Sequence, residues 1–399
     1  MISVFAKYNL SRINSYIFGL YGLFISMSVS ISSFLAYLML LIFLIEGNYK
    51  EKFSHIKSNP FVYAIIAFVV LHFLGLLWTE DFEGAKNILK REWKLLFIIL
   101  FMLIVQKEHV RYYLELFIVG MSISELVSYA IWFQIVPPFM YATLDMPTPF
   151  MRHLSYNIYL ALAIYLLLHF LIFDYKLSFR NKLIGLFFLL TMSINMFITG
   201  GRAGQIAFLI LLSIMVYSLI KQHFKVALLI CLGAISGVII AYYSSPIFFD
   251  RTNKVFSDIT NFEKEHNTSV GTRMALAINT LELIKRHPFF GVGTGDLLTE
   301  YAQINDSSRY KTPVMHPHNM YLLILAQFGI IGLFILGFLF YSKYKIALSK
   351  NDEWRNFRFA FIIMFGVIML SNSYLYTHHT MVLYMFFTSF LFNFNTDQK

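Results

Sequence analysis

The sequence predicts an all-α polytopic membrane protein of about twelve transmembrane helices carrying one large water-facing loop. Three observations lead there. Hydrophobic residues make up 58% of the 399 positions and charged residues only 14%, with a mean hydropathy of +0.64, whereas soluble domains carry about a quarter charged residues. The apolar residues lie in long unbroken runs of about twenty, the length that crosses a bilayer as a helix, and not in the alternating ten-residue segments of a membrane β-barrel. One stretch, residues 244–318, is about half polar. Irregular backbone of that length cannot face lipid, so it must lie in water or be covered by protein.

Taken in order, the apolar windows are 13–29, 31–46, 60–77, 95–106, 113–135, 154–173, 183–200, 203–220, 225–243, 319–341, 359–374 and 380–395. This divides the chain into helices one to nine (1–243), the polar loop (244–318) and helices ten to twelve (319–399). Ser28, Ser30, Ser32 and Ser33 separate the first two windows and suit a tight hairpin. Following Lys7, Arg12 and an apolar run, they also imitate a signal-peptide cleavage site. With eleven further spans behind it, an uncleaved first helix is the expectation. The single Cys231 rules out an internal disulfide framework.

The formal charge of +10 is spread between the spans, which fits the excess of Lys and Arg on cytoplasmic loops and gives no patch for nucleic acid. With the N-terminus inside, the inner segments hold eighteen basic residues: Lys7, Arg12, Lys50, Lys52, Lys57, Lys107, Arg111, Lys176, Arg180, Lys182, Lys221, Lys225, Lys343, Lys345, Lys350, Arg355, Arg358 and Lys399. The short outer segments hold six, Lys86, Lys90, Arg91, Lys94, Arg152 and Arg202. Both termini are therefore expected in the cytoplasm and the polar loop outside, which in a bacterium is the periplasm.

That loop balances eight basic residues, Arg251 among them, against eight acidic ones, so it is no polybasic lipid anchor. Residues 272–286 read as a helix with Arg273, Leu276, Ala277, Thr280 and Ile284 on one face, stopped by His287-Pro288. On periodicity alone Arg273 belongs to an interfacial helix and snorkels to headgroups. Gly291, Gly293 and Gly295 resemble a phosphate-cradling loop only weakly, because no strand precedes them and no Lys-Ser/Thr follows; a flexible turn is expected. In His316-Pro317-His318-Asn319 the proline holds both histidines rigidly at the mouth of the next span. Such a pair suits a metal or a general base, but no third ligand stands nearby in sequence.

Three other features stand out. Arg202, in Thr199-Gly200-Gly201-Arg202-Ala203-Gly204, sits at a span end where a charge is costly and faces a cavity or partner; the flanking glycines are expected to open space around it. Residues 78–94 form an amphipathic outer segment with Lys86, Lys90, Arg91 and Lys94 close together, either a helix lying on the membrane surface or a holder of diphosphate or another acidic group. Glu80, Asp81 and Glu83 in that segment leave a metal-binding motif open. Glu125 stands in mid-span, where a carboxylate has either a function or a buried partner.

TGGRAG at 199–204, GTRMALAINTLELIKRHPFFGVG at 271–293 and HPHNMYLLILAQFGIIGL at 316–333, in this order within a twelve-span layout, resemble the O-antigen ligase and polymerase superfamily. The likeness is closer to the O-antigen ligases. It implies a membrane glycosyltransferase (GT-C-like) of the bacterial inner membrane, active at the periplasmic face. Arg202, Arg273 and His318 match the family's functional positions, and His316 a less uniform one. The resemblance further implies transfer of a glycan from undecaprenyl diphosphate to a sugar hydroxyl of lipid A–core. Lys90, Arg91, Lys94, His316 and Asn319 are the expected substrate contacts.

Residue chemistry agrees with such a reaction. Arginine grips phosphate oxygens bidentately and stays charged, and a histidine takes the hydroxyl proton. No retaining-type carboxylate pair is evident, so a single inverting displacement is expected. No cofactor or metal is implied if the arginines neutralise the diphosphate. The expected partners are the lipid-linked donor, lipid A–core and membrane lipids. A polymerase of the same superfamily extending another lipid-linked glycan is the alternative. A transporter is disfavoured because the ionisable groups gather at the outer face instead of along a mid-membrane path.

Overall fold

Tight hydrogen-bonded caps and short turns punctuate the apolar runs into helices, with no strand among the described residues. The computed structural model describes residues 4–393, without the side chains of 4–8, 246–247 and 251. Lys399 and the side chains of Lys7 and Arg251, counted above, lie outside the described set. The helices are α1 (Val4–Phe24), α2 (Val29–Glu46), α3 (Tyr49–Ile56), α4 (Pro60–Leu74), α5 (Phe82–Glu92), α6 (Phe97–Ile104), α7 (Val110–Trp132), α8 (His153–Phe173), α9 (Phe179–Ile198), α10 (Arg202–Leu219), α11 (Phe224–Ser244), α12 (Pro246–Thr260), α13 (Ser269–Arg286), α14 (Leu297–Ser307), α15 (Met320–Ser349), α16 (Arg355–Ile368) and α17 (His378–Leu391).

Eight of these segments are long and apolar enough to cross a membrane: α2, α4 with its 3-10 extension to Trp78, α7 with the preceding turn from Lys107, α8, α9, α10, α11 and α15. The remaining four expected windows fall on α1, α6, α16 and α17. Of these, α6 has 8 residues and α16 and α17 have 14 each, so a count of twelve full spans is not established. The interior of the bundle is built from helices buried along most of their length. From Thr380 to Leu391 every residue of α17 is buried, and from Ser155 to His169 every residue of α8 is buried. Helices that are apolar all round belong inside a bundle. Aromatic side chains fill the space between them, as where Phe386 stacks on Phe18 at 5.1 Å and Phe361 on Tyr384 at 6.1 Å.

The helices alternate in direction, so residues 75–96, 133–152, 199–201, 245–319 and 369–377 gather at one end of the bundle, here called the loop face. There the polar loop is held against the bundle. Its helix α13 runs from Ser269, capped by Thr268, and its buried side is Gly271, Ala275, Leu276, Asn279, Thr280 and Leu283, rotated from the face that periodicity suggests. Asn279 donates to Asn305 and to the Tyr310 carbonyl, and Asn305 donates to the Thr312 carbonyl at 2.9 Å. This is a protein-packed helix, and the interfacial reading does not describe it.

The glycine run is likewise not a flexible turn. Residues 291–297 are all buried. Helix α15 breaks at Gly329 (φ 60°, ψ −156°), which releases carbonyls that a continuous helix would use. Val292 N–H donates to Ala326 O and Gly293 N–H to Gln327 O, both at 2.9 Å, while Ile330 N–H donates to Pro288 O. Gly291 takes φ +66° and Gly293 φ +98°, and a Cβ at 291 would collide with the Gln327 carbonyl. On the other side, Thr294 N–H donates to Thr79 Oγ1 at 2.8 Å and Thr294 Oγ1 to His72 O at 2.6 Å. The segment therefore interlocks the break in α15 with the end of α4.

Gly291→Ala should lower the thermal unfolding midpoint of the detergent-purified protein, since forced left-handed backbone alone costs about 1–3 kcal/mol. Gly233→Ala is the matched control: a Cβ there meets nothing within 4 Å, and alanine gains about 1 kcal/mol in a helix. Equal midpoints for the two variants would contradict the interlock.

Candidate functional site

The site forms where the His-Pro-His segment meets residues 369–377 between α16 and α17. Asn319 caps α15, its Oδ1 accepting from Tyr321 N–H at 2.9 Å and Leu322 N–H at 3.1 Å. Met320 N–H donates to Met369 O at 2.9 Å, which ties the start of α15 to the end of α16. Between Pro317 and this cap His318 is held at φ +50°, a conformation uncommon for non-glycine residues. Such an outlier persists only where its surroundings fix it.

Those surroundings also fix the His318 tautomer. Asn372 Oδ1 accepts from Ser373 N–H at 2.9 Å, which identifies it as the carboxamide oxygen, and it lies 3.1 Å from His318 Nδ1. An oxygen acceptor requires Nδ1 to carry the proton, and the Nδ1–H donates. The lone pair is then on Nε2. Burial lowers the affinity of His318 for a proton and Arg273 lowers it further, against the opposing Asn372 hydrogen bond. His316 packs edge-on to His318 at 4.6 Å between ring centroids. Burial, with His318 and Arg91 beside it, pushes its pKa down to about 4. Both imidazoles are thus neutral at pH 7, and His318 is poised to accept a proton.

Cations surround this pair. Arg273 is half-buried on α13 and acts electrostatically on His318 and on the buried Tyr374. Arg91, on α5, lies over the Tyr376 ring at 4.3 Å, and Tyr376 is 6.3 Å from the His316 ring. Lys94 follows on the same side of that segment and lines a cavity with His378. Lys90 points elsewhere, into a groove with Phe73, Phe82, Lys86 and Trp93. His316, His318, Arg273 and Arg91 therefore form one connected set, Lys94 adjoins it, and Lys90 lies across α5 from it. Asn319 is placed as a cap with its oxygen occupied, which leaves Nδ2 as its remaining side-chain donor.

Arg202 opens α10 at the same face, on a separate support. The glycines beside it do not clear space around it. A Cβ at Gly201 would meet His153 O at 2.6 Å, and one at Gly204 would collide with Asn157, so these glycines let α10 press directly on α8. Asn157 holds the turn, accepting from Thr199 Oγ1 at 2.6 Å and donating to Met196 O at 3.1 Å. Helix α10 also packs along α16, which sets the start of α10 at the end of α16 that precedes Asn372.

Of the acidic residues at 80–83, Asp81 caps α5 and Glu83 makes a surface ion pair. Asp81 accepts from Gly84 N–H at 2.8 Å, Glu83 pairs with Lys86, and Asp296 accepts from the backbone of Glu80 and Asp81. No group of three or more metal-ligating side chains occurs among the described residues. Glu125 is buried beside Tyr129 and Tyr156. Sequence reasoning missed Asn372, Tyr374, Tyr376, His378 and the buried Glu92, whose carboxyl burial raises to a pKa of about 8. The available signal was the segment SNSYLYTHHT, residues 371–380, too polar for the spans drawn on either side of it.

Geometry thus defines a multi-pass helical membrane protein with a neutral histidine pair among arginines at one end of the bundle. Residues 187–337, which include Arg202, Arg273, His316 and His318, match the family model described as O-antigen ligase. A protein of Haemophilus influenzae described as uncharacterized is 27% identical over 241 residues, covering 58% of this chain. The chain spans about 60% of the length of that relative.

The proton affinity of His318 provides a direct check. Asn372→Asp places a negative charge against Nδ1 and should raise the His318 pKa, and Arg273→Gln removes a repelling positive charge and should raise it as well. NMR titration of histidine-labelled protein reads both shifts against a wild-type value below 6.5. An unmoved His318 in both variants would contradict the assigned neighbours.

Proposed function

We propose that the protein is an O-antigen ligase, transferring a glycan from undecaprenyl diphosphate to a sugar hydroxyl of lipid A–core at the periplasmic face of the inner membrane. The observation that carries this reading is the His318 tautomer, with Nε2 left as a base beside Arg273 and the His316–Arg91 group. The match of residues 187–337 to the O-antigen ligase family model supports the reaction class.

In the proposed step the acceptor hydroxyl gives its proton to His318 Nε2 as its oxygen attacks the anomeric carbon. The bond from that carbon to the diphosphate oxygen breaks, and the electron pair leaves with undecaprenyl diphosphate. One displacement inverts the anomeric centre. Negative charge grows on the leaving oxygen, and Arg273 and Arg91 stabilise it, with Arg202 at the start of α10 on the same face of the bundle. Preorganised donors in a site sheltered from water are worth a few kcal/mol each. His316, uncharged, orients substrate without adding a competing proton. No step calls for a metal, because the guanidinium groups supply the charge.

Purified protein is therefore expected to transfer glycan at an undiminished rate in excess EDTA. Strict dependence on added Mg²⁺ or Mn²⁺, abolished by Asp81→Ala, would move the chemistry to the acidic segment. In a deletion strain, lipopolysaccharide gels should show loss of capped lipopolysaccharide while long lipid-linked chains persist. Persistence of single-repeat capping would identify a polymerase instead.

A further inference from the structure

The step above leaves unused a buried carboxyl beside one of its arginines. Glu92 is the last residue of α5 and shares the buried side of that helix with Ala85 and Ile88. It is 0% exposed, and among the described residues neither of its carboxyl oxygens meets a hydrogen-bond donor. Nearby acids are satisfied: Asp296 accepts from the backbone of Glu80 and Asp81, and Glu83 pairs with Lys86. A buried carboxylate with no donor is very costly. Holding a proton removes that cost, because only the ionised form needs solvation. Burial accordingly raises the Glu92 pKa to about 8, against the opposing pull of Arg91.

Two groups interact electrostatically with Glu92. Arg91 acts on it from the same helix, and Glu92 acts on Tyr376 of the segment that crosses the loop face. These are the two residues that stack, the guanidinium 4.3 Å over the ring and the ring 6.3 Å from His316. Arg91 donates to the Asn87 carbonyl and has no ion pair among the described residues. Of the elements packed on α5 and the turn 93–96, α4 carries Tyr63 and His72 as its titratable groups and α6 carries none. The turn itself adds Lys94, with His378 beyond it. Residues 291–297 add Asp296, already bonded to the backbone at 80 and 81. The charge on Arg91 is therefore uncompensated only while Glu92 is neutral.

Linkage turns this arrangement into a function. An anion held by Arg91 brings negative charge toward Glu92 and strengthens its hold on the proton. By reciprocity, an ionised Glu92 weakens the grip on the anion by the same factor. Resting on the donor class proposed above, we propose that Glu92 is a positioning residue for the reaction, acting through Arg91. As a neutral carboxyl it leaves the guanidinium uncompensated on Tyr376 for the diphosphate, and as a carboxylate it cancels that charge. Tight donor holding is thus present below about pH 8, where Glu92 keeps its proton, and is lost above it.

The test measures glycan transfer by the full-length protein on either side of about pH 8, varying the undecaprenyl-diphosphate-linked donor. In wild type the KM for donor should rise about tenfold above that pH, the size of one pKa unit of coupling. Glu92→Gln and the apolar Glu92→Met lack the titrating group and should keep a low KM throughout. Two variants keep the test decisive if one of them misfolds. Arg91→Gln should show a high KM at every pH, unaltered when Glu92→Gln is added to it. Infrared difference spectroscopy reads the proton itself. The C=O stretch of a protonated carboxyl should disappear across about pH 8 in wild type, and Glu92→Gln should lack that change. A rise in KM that persists in the folded Glu92 variants, no rise in wild type, or an infrared change that survives Glu92→Gln would overturn the role of Glu92. Each of those leaves the donor class standing. A wild type that transfers nothing from the lipid-linked donor at any pH would sink the donor class and this inference together.

Discussion

The break in α15 at Gly329, filled by the backbone of residues 291–295, is the constraint on which the site depends. Its hydrogen bonds join three parts of the chain that carry the site's charged residues. The segment continues from α13 and so sets Arg273. It locks onto α15, whose first turn and cap set His318. Through Thr294 and Asp296 it grips residues 72–81, from which α5 leads to Arg91 and Lys94. Non-helical backbone at this depth is tolerated because every freed carbonyl and amide described here meets a protein partner. The glycines are needed because the two backbones touch, and a side chain at 291 or 329 would push them apart.

From that frame the electrostatics follow. Burial and nearby arginines keep His316 and His318 neutral, so cations and a base coexist without the base being lost to protonation. Asn372 contributes by direction, placing the proton on Nδ1 and the lone pair on Nε2. Arginine suits the surrounding positions because it keeps its charge where a lysine can lose it through burial. The left-handed backbone at His318 is strain that Pro317, the Asn319 cap and the Asn372 contact jointly hold in place.

Much of this was legible in the sequence, and the gaps have physical causes. Apolar length marked the membrane helices, and residues 202, 316 and 318 stood out as charged or titratable groups at span ends, while Arg273 stood out in the first turn of the loop helix through the family motif. The number of full spans did not follow, because α6, α16 and α17 are short and inward-facing, and hydropathy does not separate buried from lipid-facing helices. The glycines were misread at 201, 204 and 291–295, since a one-dimensional pattern does not distinguish a glycine that frees space from one that lets backbones touch. Asn372 and Tyr376 were hidden because a segment crossing the end of the bundle has no periodicity of its own. Asn157 was hidden because a polar residue inside an apolar helix reveals its role only through the turn it holds.

The central claim is that charge-holding and proton-taking reside in different residues, Arg273 and His318. Donor binding and glycan transfer, measured side by side on the same purified preparations, test it most directly. Arg273→Ala should weaken binding of the undecaprenyl-diphosphate-linked glycan. His318→Ala should bind it nearly as wild type does and transfer about a hundredfold to ten-thousandfold more slowly, the usual cost of losing a general base. A folded His318→Ala variant that binds donor and transfers at the wild-type rate would contradict the account.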